Sequence, residues 1–321
     1  MTTNATALSA VIYKVRDLAP DIREFTLIPG NDELFPLYSA GSHVVLSLPI
    51  GGRIHRNAYS LLGDPARRDH WRIAVRRQQS SRGGSAWLHD EARAGMYIDL
   101  SPPVNLFSLV RTARHHVLVA GGIGITPILS QARELARLGA SFEVHYAFRG
   151  APNAVFLDDL KAIAPERVHP HDSDRDGQLE FGPLLARQAL GTHLYICGPQ
   201  GMVDACMQAG ARLGWPSKHL HSEQFIAPAG GEPFEVELKR SGKRFTVPRD
   251  LSLLETLELN QVDTPSLCRG GACGQCELEV LDATGALVHH DVYLSAEERA
   301  SGRKIMPCVS RLDGGCLVLN H

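Results

Sequence analysis

The chain has 321 residues, of which 44% are hydrophobic and 21% charged, with a formal net charge of −2. That length supports two or three domains with their own cores, and a near-neutral balance argues against nucleic acid as a partner. There is no run of eighteen or more apolar residues, so no membrane-spanning helix is expected. The start, MTTNATALSAVIYKVRD, has no basic segment followed by an apolar one, so no signal peptide is expected. Free thiols without an export signal predict a cytoplasmic protein.

Residues 1 to about 110 predict short alternating strands: VIYKV, REFTLI, HVVLSL, RNAYSLL, WRIAVRR and MYIDL. Turn clusters such as PGND, PIGGR and GDPARRD separate them, the pattern of a small antiparallel barrel. On the strand Arg56-Asn57-Ala58-Tyr59-Ser60, alternation puts Arg56, Ala58 and Ser60 on one face and Asn57 and Tyr59 on the other. Ser81-Arg82-Gly83-Gly84-Ser85 opens a helix at Ala86; backbone N–H groups, glycines and an arginine there suit a phosphate.

From about residue 112 strands alternate with helices. HHVLVAGG, FEVHYAF and LYICGPQ read as strands, and PILSQARELARLG, NAVFLDDLKAIA and MVDACMQAGARLG as helices, which predicts a parallel sheet. Gly121-Gly122-Ile123-Gly124-Ile125-Thr126-Pro127 and Cys197-Gly198-Pro199-Gln200 are turns at the carboxyl ends of strands, where open α/β sheets bind ligands. His115-His116 and His289-His290 are expected at the surface or at strand ends.

IAPAGGEP reads as a linker. Beyond it FEVELKRSGKRFTVP predicts a hairpin, and Asp250 or Ser252 caps the helix SLLETLELN. Cys268, Cys273 and Cys276 then form C-x4-C-x2-C, with Cys308 downstream. This is the plant-type spacing of a [2Fe–2S] cluster, whereas structural zinc uses two short pairs. Gly270, Gly271 and Gly274 let the loop aim N–H groups at sulfur. Cys316, in the terminal strand GGCLVLN, is the other downstream candidate for fourth ligand; Cys308 is chosen also because its context, IMPCVSR, resembles the pattern of the family that the motifs together point to.

Taken in order, the Arg56–Ser60 strand, the Arg82–Ser85 helix start, the two glycine turns and the cysteine loop resemble the phthalate dioxygenase reductase family. That group includes the vanillate demethylase and phenoxybenzoate dioxygenase reductases. The resemblance implies a multidomain β plus α/β plus α+β chain. An antiparallel flavin-binding β-barrel would span 1–110, a parallel-sheet NAD-binding domain 111–226, a linker 227–233, and a β-grasp plant-type ferredoxin 234–321. It implies FMN, NADH and a [2Fe–2S] cluster, and delivery of electrons to a separate Rieske-type oxygenase.

In that family pattern Arg56 and the turn Arg82, Gly83, Gly84 and Ser85 would hold the flavin phosphate. Tyr59 would line the flavin and Ser60 would hydrogen-bond near its reactive nitrogen, with Asn57 a departure from the family's usual small polar residue. Ala74, Val75 and Arg76 would edge the ring. Thr126 and Phe225 would stand beside the flavin where the nicotinamide docks, and Gly121, Gly122, Cys197, Gly198 and Pro199 would shape the dinucleotide cleft. Asp172 and Asp174, in VHPHDSDRDG, favour NADH because carboxylates repel a 2′-phosphate. Electron counting requires a flavin between a hydride donor and a one-electron cluster. It leaves open a cytochrome P450 or other monooxygenase as acceptor, while an iron–sulfur sensor would need no nucleotide sites. Arg269, Ala272 and Gln275 are the expected partner contacts. Residues 234–321 hold thirteen Asp/Glu against ten Lys/Arg, too slight an excess for strong steering.

Overall fold

In the computed structural model, which describes residues 7–79, 83–225 and 230–321, the first block is a sheet of seven antiparallel strands. These are β1 (Leu8–Ala19), β2 (Ile22–Pro29), β3 (Ser42–Ile50), β4 (Arg53–Ser60), β5 (Trp71–Arg76), β6 (Tyr97–Leu100) and β7 (Val104–Asn105), in the order β4-β3-β6-β1-β2-β5 with β7 on β3. A bridge between Leu62 and Arg72 joins the ends of β4 and β5, so the sheet curls into a barrel. Side chains alternate across it, and Phe25, Leu27, Val44, Leu46, Trp71 and Ile73 fill the interior. The short helix α1 (Gly84–Asp90) lies between β5 and β6.

The second sheet is wholly parallel. It comprises β8 (His115–Gly121), β9 (Phe142–Phe148), β10 (Val168–Asp172), β11 (Thr192–Cys197) and β12 (Leu220–Glu223), in the order β10-β9-β8-β11-β12. The connecting helices are α2 (Ile125–Arg137), α3 (Leu157–Ile163), α4 (Ser173–Asp176), α5 (Phe181–Ala186) and α6 (Gln200–Arg212). From Val117 onward central β8 reads as an unbroken apolar run because both its faces are covered. Helix α2 buries Ile125, Ile128, Leu129, Ala132 and Leu135, one face of a 3.6-residue period. From β8 the chain builds outward to β10 on one side, then returns to place β11 and β12 on the other. The carboxyl ends of β8 and β11 therefore flank the point where strand order reverses.

Ile22, Leu62, Ala74 and Phe107 of the barrel share one core with Leu118, Ile125, Leu129 and Tyr146 of the parallel sheet. That shared core accounts for the chain dividing into two compact units, Met1–Gln224 and Phe225–His321. In the second unit β13 (Phe234–Leu238), β14 (Arg244–Val247), β15 (Leu278–Ala283), β17 (Lys304–Ile305) and β19 (Cys316–Leu319) form a mixed sheet in the order β14-β13-β19-β15-β17. β16 (Ala286–Val288) pairs with β18 (Arg311–Asp313). The terminal strand β19 runs parallel to β13, the β-grasp arrangement. Helix α7 (Leu253–Leu259) packs Leu253 and Leu257 on this sheet, and α8 (Ala296–Ser301) precedes β17. Of the two expected caps for α7, Ser252 is the one used, in a reciprocal capping box with Glu255 that stabilises by about 1 kcal/mol. Among the described residues no helix is long and apolar enough to cross a membrane.

Candidate redox site

Three thiols come from the loop between α7 and β15, and Cys308 from the turn after β17. Cys268, Cys276 and Cys308 are buried and Cys273 half-buried. The sulfurs face each other two by two, Cys268 with Cys273 and Cys276 with Cys308. The Cys273 thiol, followed by the amides of Gly270, Ala272 and Cys273, outweighs burial and pushes Cys268 down to about 5. Cys308 likewise pushes Cys276 down, while Cys273 and Cys308 are pushed up by the sulfur beside each and by burial. Facing thiols of this kind lower one member's hold on its proton, and metal binding takes the deprotonated thiolate. Two such pairs fit the two thiolates that each iron of a [2Fe–2S] cluster takes.

The loop's backbone is bent around the sulfurs. The Gly270 N–H reaches the Cys268 sulfur at 3.4 Å. Left-handed backbone falls at Arg269, Gly271 and Gly274, and a Cβ on Gly274 would run into the Tyr293 ring. Arg269 departs from expectation: it is ion-paired with Glu258 and its side chain is only 11% exposed, whereas Ala272 and Gln275 face solvent. Cys316 sits on β19 opposite Glu235, as its terminal-strand context predicted.

In the first unit the barrel meets the β8–α2 turn. Ser60, buried at the end of β4, donates its hydroxyl to Glu223 Oε2 at 3.3 Å. Glu223 ends β12 beside Cys197, the last residue of β11. Glu223 is half-buried by surface area, but its carboxyl lies deep. Burial raises it to about 8 against the opposing bond from Ser60, and burial followed by the Glu223 charge raises the Cys197 thiol. Sequence reasoning missed Glu223. The available signal was a lone carboxylate at the same sheet end as both glycine turns.

Along β4, Arg56 and Ala58 are exposed, and Asn57 and Tyr59 half-buried, as alternation required. Tyr59 packs against the barrel core, and burial raises its hydroxyl above its ordinary range. Asn57 reaches the start of α1: a Cβ on Gly84 would lie 2.6 Å from its Oδ1. Gly83 caps α1 at φ 109°, so the helix begins at Gly84, ahead of the expected Ala86. The Ser85 hydroxyl accepts from the Gln78 N–H at 3.1 Å and closes the preceding loop. Ser81 and Arg82 lie outside the described residues, as do 226–229 of the expected linker. On β5, Ala74 turns to the core shared with the parallel sheet and Val75 to the barrel interior. Arg76 is held by Asp21 at 2.6 Å.

The glycine turns pack on each other. A Cβ on Gly121 would lie 2.7 Å from Pro199 Cδ, and one on Gly198 3.1 Å from the Gly121 Cα. Gly122 has φ 52°, and among the described residues a Cβ built on it would meet nothing closer than Arg76 Nη1 at 3.9 Å, so that side is open. That open face, with Ser60, Arg76 and the Asn57–Gly84 contact around the same barrel strands, suits a flavin against a nucleotide cleft. Thr126 is 2% exposed and its hydroxyl donates to the Ile123 carbonyl at 3.1 Å, so it braces the turn. Phe225 opens the second unit and is 50% exposed. Asp172 ends β10, and its Oδ1 accepts from Gly150 N–H at 2.8 Å and Asp174 N–H at 3.2 Å. Asp174 is exposed beside it, and Arg175 is paired with Asp176 at 3.0 Å.

Glu143, His145 and His169 bring ligand atoms within 4.8 Å of one another. The two imidazoles are stacked, with planes 21° apart, so their in-plane lone pairs do not converge on one ion. Glu143 is instead bonded by Gln188 at 2.8 Å.

A family model described as the dimethylamine monooxygenase subunit DmmA-like N-terminal domain matches residues 96–220, and one for the 2Fe-2S iron-sulfur cluster binding domain matches 236–313. Fold and site define an oxidoreductase that uses flavin, NAD(H) and a [2Fe–2S] cluster. The chain is 46% identical to the heme-dependent oxidative N-demethylase beta subunit of Ectopseudomonas mendocina (strain ymp), over 98% of this chain and 99% of the relative. It is 39% identical to the carnitine monooxygenase reductase subunit of Escherichia coli (strain K12), over 96% and 97%. The solved phthalate dioxygenase reductase superposes with a TM-score of 0.87 at 34% identity, covering 98% of each chain. The chain belongs to the phthalate dioxygenase reductase family.

Proposed function

We propose that this chain draws electrons from NADH through FMN and its cysteine-bound cluster, and delivers them to a separate Rieske-type oxygenase in the cytoplasm. The observation that carries the reading is the two facing thiol pairs on a chain whose other unit holds the Ser60–Glu223 junction at the ends of both sheets. In this reading residues 1–110 hold the flavin, 111–226 the nucleotide and 234–321 the cluster, with 227–233 as linker. A bound flavin accepts a hydride and returns electrons singly, and the cluster carries one at a time.

The chain's own residues bind and orient. Asn57, Gly83, Gly84 and Ser85 frame the flavin phosphate together with Arg56 and Arg82. Tyr59, Ala74, Val75 and Arg76 bound the ring. Ser60 hydrogen-bonds at its edge and is tied to Glu223, which holds a proton at neutral pH. Gly121, Gly122, Cys197, Gly198 and Pro199 shape the cleft, Thr126 fixes its turn, and Phe225 stands at the chain's exit from the first unit. Asp172 and Asp174 meet the adenosine ribose and disfavour a 2′-phosphate. FMN is favoured over FAD because the barrel's helix start supplies one phosphate site and its sequence offers no adenine-stacking segment.

The test is NADH-driven reduction of cytochrome c by the purified protein, with acid extraction of the flavin. Enzyme-like rates and released FMN support the reading; a protein that holds iron but ignores NADH refutes it. A second reading of the partner, a heme-dependent N-demethylase, is favoured by the 46% identity to the beta subunit of such a system. Affinity purification of the tagged chain from its own host separates the two. A partner with a Rieske spectrum supports the first, and one with a heme Soret band supports the second.

A further inference from the structure

Behind the cysteine loop lies a buried carboxylate with no place in the electron path described above. Asp291 is 3% exposed. Its Oδ1 accepts from the Ser310 hydroxyl at 3.1 Å and its Oδ2 from the Leu294 N–H at 2.9 Å. Ser310 stands two residues past Cys308, and its hydroxyl also accepts from the His290 N–H at 3.2 Å. Arg299 Nη2 lies 3.6 Å from Oδ2 and donates to the Asp291 carbonyl at 2.5 Å. The His289 ring, at the end of β16 as expected for it, lies 3.4 Å from Oδ1 with its side chain only 8% exposed.

Asp291 also touches the other ligand segment. Gly271, at φ 72°, lies flat against it: a Cβ there would be 2.9 Å from the Asp291 Cα and 2.7 Å from Val309 Cγ2. The Gly271 carbonyl accepts from the Val292 N–H at 3.0 Å, and the Gly271 amide bonds the Cys308 sulfur. One residue thus joins the backbone that carries three of the ligands to the backbone that carries the fourth.

We propose that Asp291 is a positioning residue for the cluster, locking the two cysteine segments together and, through a charge balanced by Arg299, setting how readily the cluster accepts an electron. Packing alone does not call for a carboxylate, since a buried ion costs more than an amide of the same shape. A fixed negative charge beside the cluster opposes an added electron, and a fixed positive charge assists it. The inference rests on Cys268, Cys273, Cys276 and Cys308 holding the cluster. An iron-free wild-type protein would sink that reading by itself, before any variant is compared.

The test is an EPR-monitored redox titration of the full holoprotein for wild type, Asp291→Asn and Arg299→Gln. Asp291→Asn should raise the midpoint potential and Arg299→Gln should lower it, the second by less because Arg299 is partly exposed. Opposite shifts are a signature that lost packing does not produce. If Asp291→Asn does not fold, a lowered potential in Arg299→Gln still supports the proposal. Unchanged potentials, or shifts of the same sign, overturn it.

Discussion

At the cysteine loop three of four ligands lie within nine residues of chain, from Cys268 to Cys276, whereas the hydroxyl and carboxyl that meet at the Ser60–Glu223 junction are 163 residues apart. The first site is a local loop pinned from behind by one buried aspartate. The second exists only where a barrel and a parallel sheet share a core. Loss of one ligand should therefore empty the first site and leave its neighbour intact. Changes at the junction should grade activity and leave cofactor content alone.

The largest expected effect is at Cys308. Cys308→Ala should remove the cluster's visible spectrum and drop cytochrome c reduction to background while ferricyanide reduction by NADH persists, since the proposed flavin site is in the other unit. Cys316→Ser should leave both activities and the spectrum unchanged, and iron loss in that variant would reassign the fourth ligand.

Next comes Glu223→Gln, which should slow flavin reduction by roughly a hundredfold in stopped flow, the lower end of a positioned proton's effect. It should also change the pH profile of stability. The folded carboxyl holds its proton to about 8 and the unfolded one releases it near 4.5, so the native state binds the extra proton between those values. The stability this contributes is complete below pH 4.5 and is lost as pH rises through 8. Thermal melts should show wild type losing ground to Glu223→Gln across that window, and parallel curves would contradict the buried carboxyl.

A smaller effect is expected at the nucleotide cleft. NADH should exceed NADPH in kcat/KM by at least about tenfold, the scale of one unfavourable charge contact. Asp172→Ala should narrow that ratio and cost about 1 kcal/mol in denaturant melts, because it removes a cap as well as a charge. The smallest effect is ionic strength. Raising salt to physiological levels should slow coupled oxygenase turnover by less than about tenfold, since few charges are neutralised at a near-neutral surface. A steeper collapse would mean a charged interface.

Legibility followed the same division. The cysteine spacing, the hairpin β13–β14, a cap at Asp250 or Ser252 and the two glycine turns were readable because each is encoded within a few residues. Glu223 was not, since its meaning depends on β12 ending beside β4, a pairing no local pattern carries. Arg269 was misplaced because exposure of a loop side chain is decided by Glu258 on the neighbouring helix. The Ser85 hydroxyl, expected at a phosphate site, also accepts from the Gln78 N–H, a contact seven residues away that the helix start alone does not show. His116, the second residue of β8, is buried and bonded near the Val110 carbonyl, at 3.2 Å; only the sheet order reveals that the start of this strand is covered.

Electrons must pass from a nucleotide at the first unit to the cysteine pairs of the second. Anaerobic addition of NADH alone to the purified protein, followed by low-temperature EPR, tests it directly. The rhombic signal of a reduced [2Fe–2S] cluster should appear within the dead time of manual mixing, and be absent in Cys308→Ala. A signal that appears only with dithionite, while NADH leaves the cluster oxidised, would contradict it.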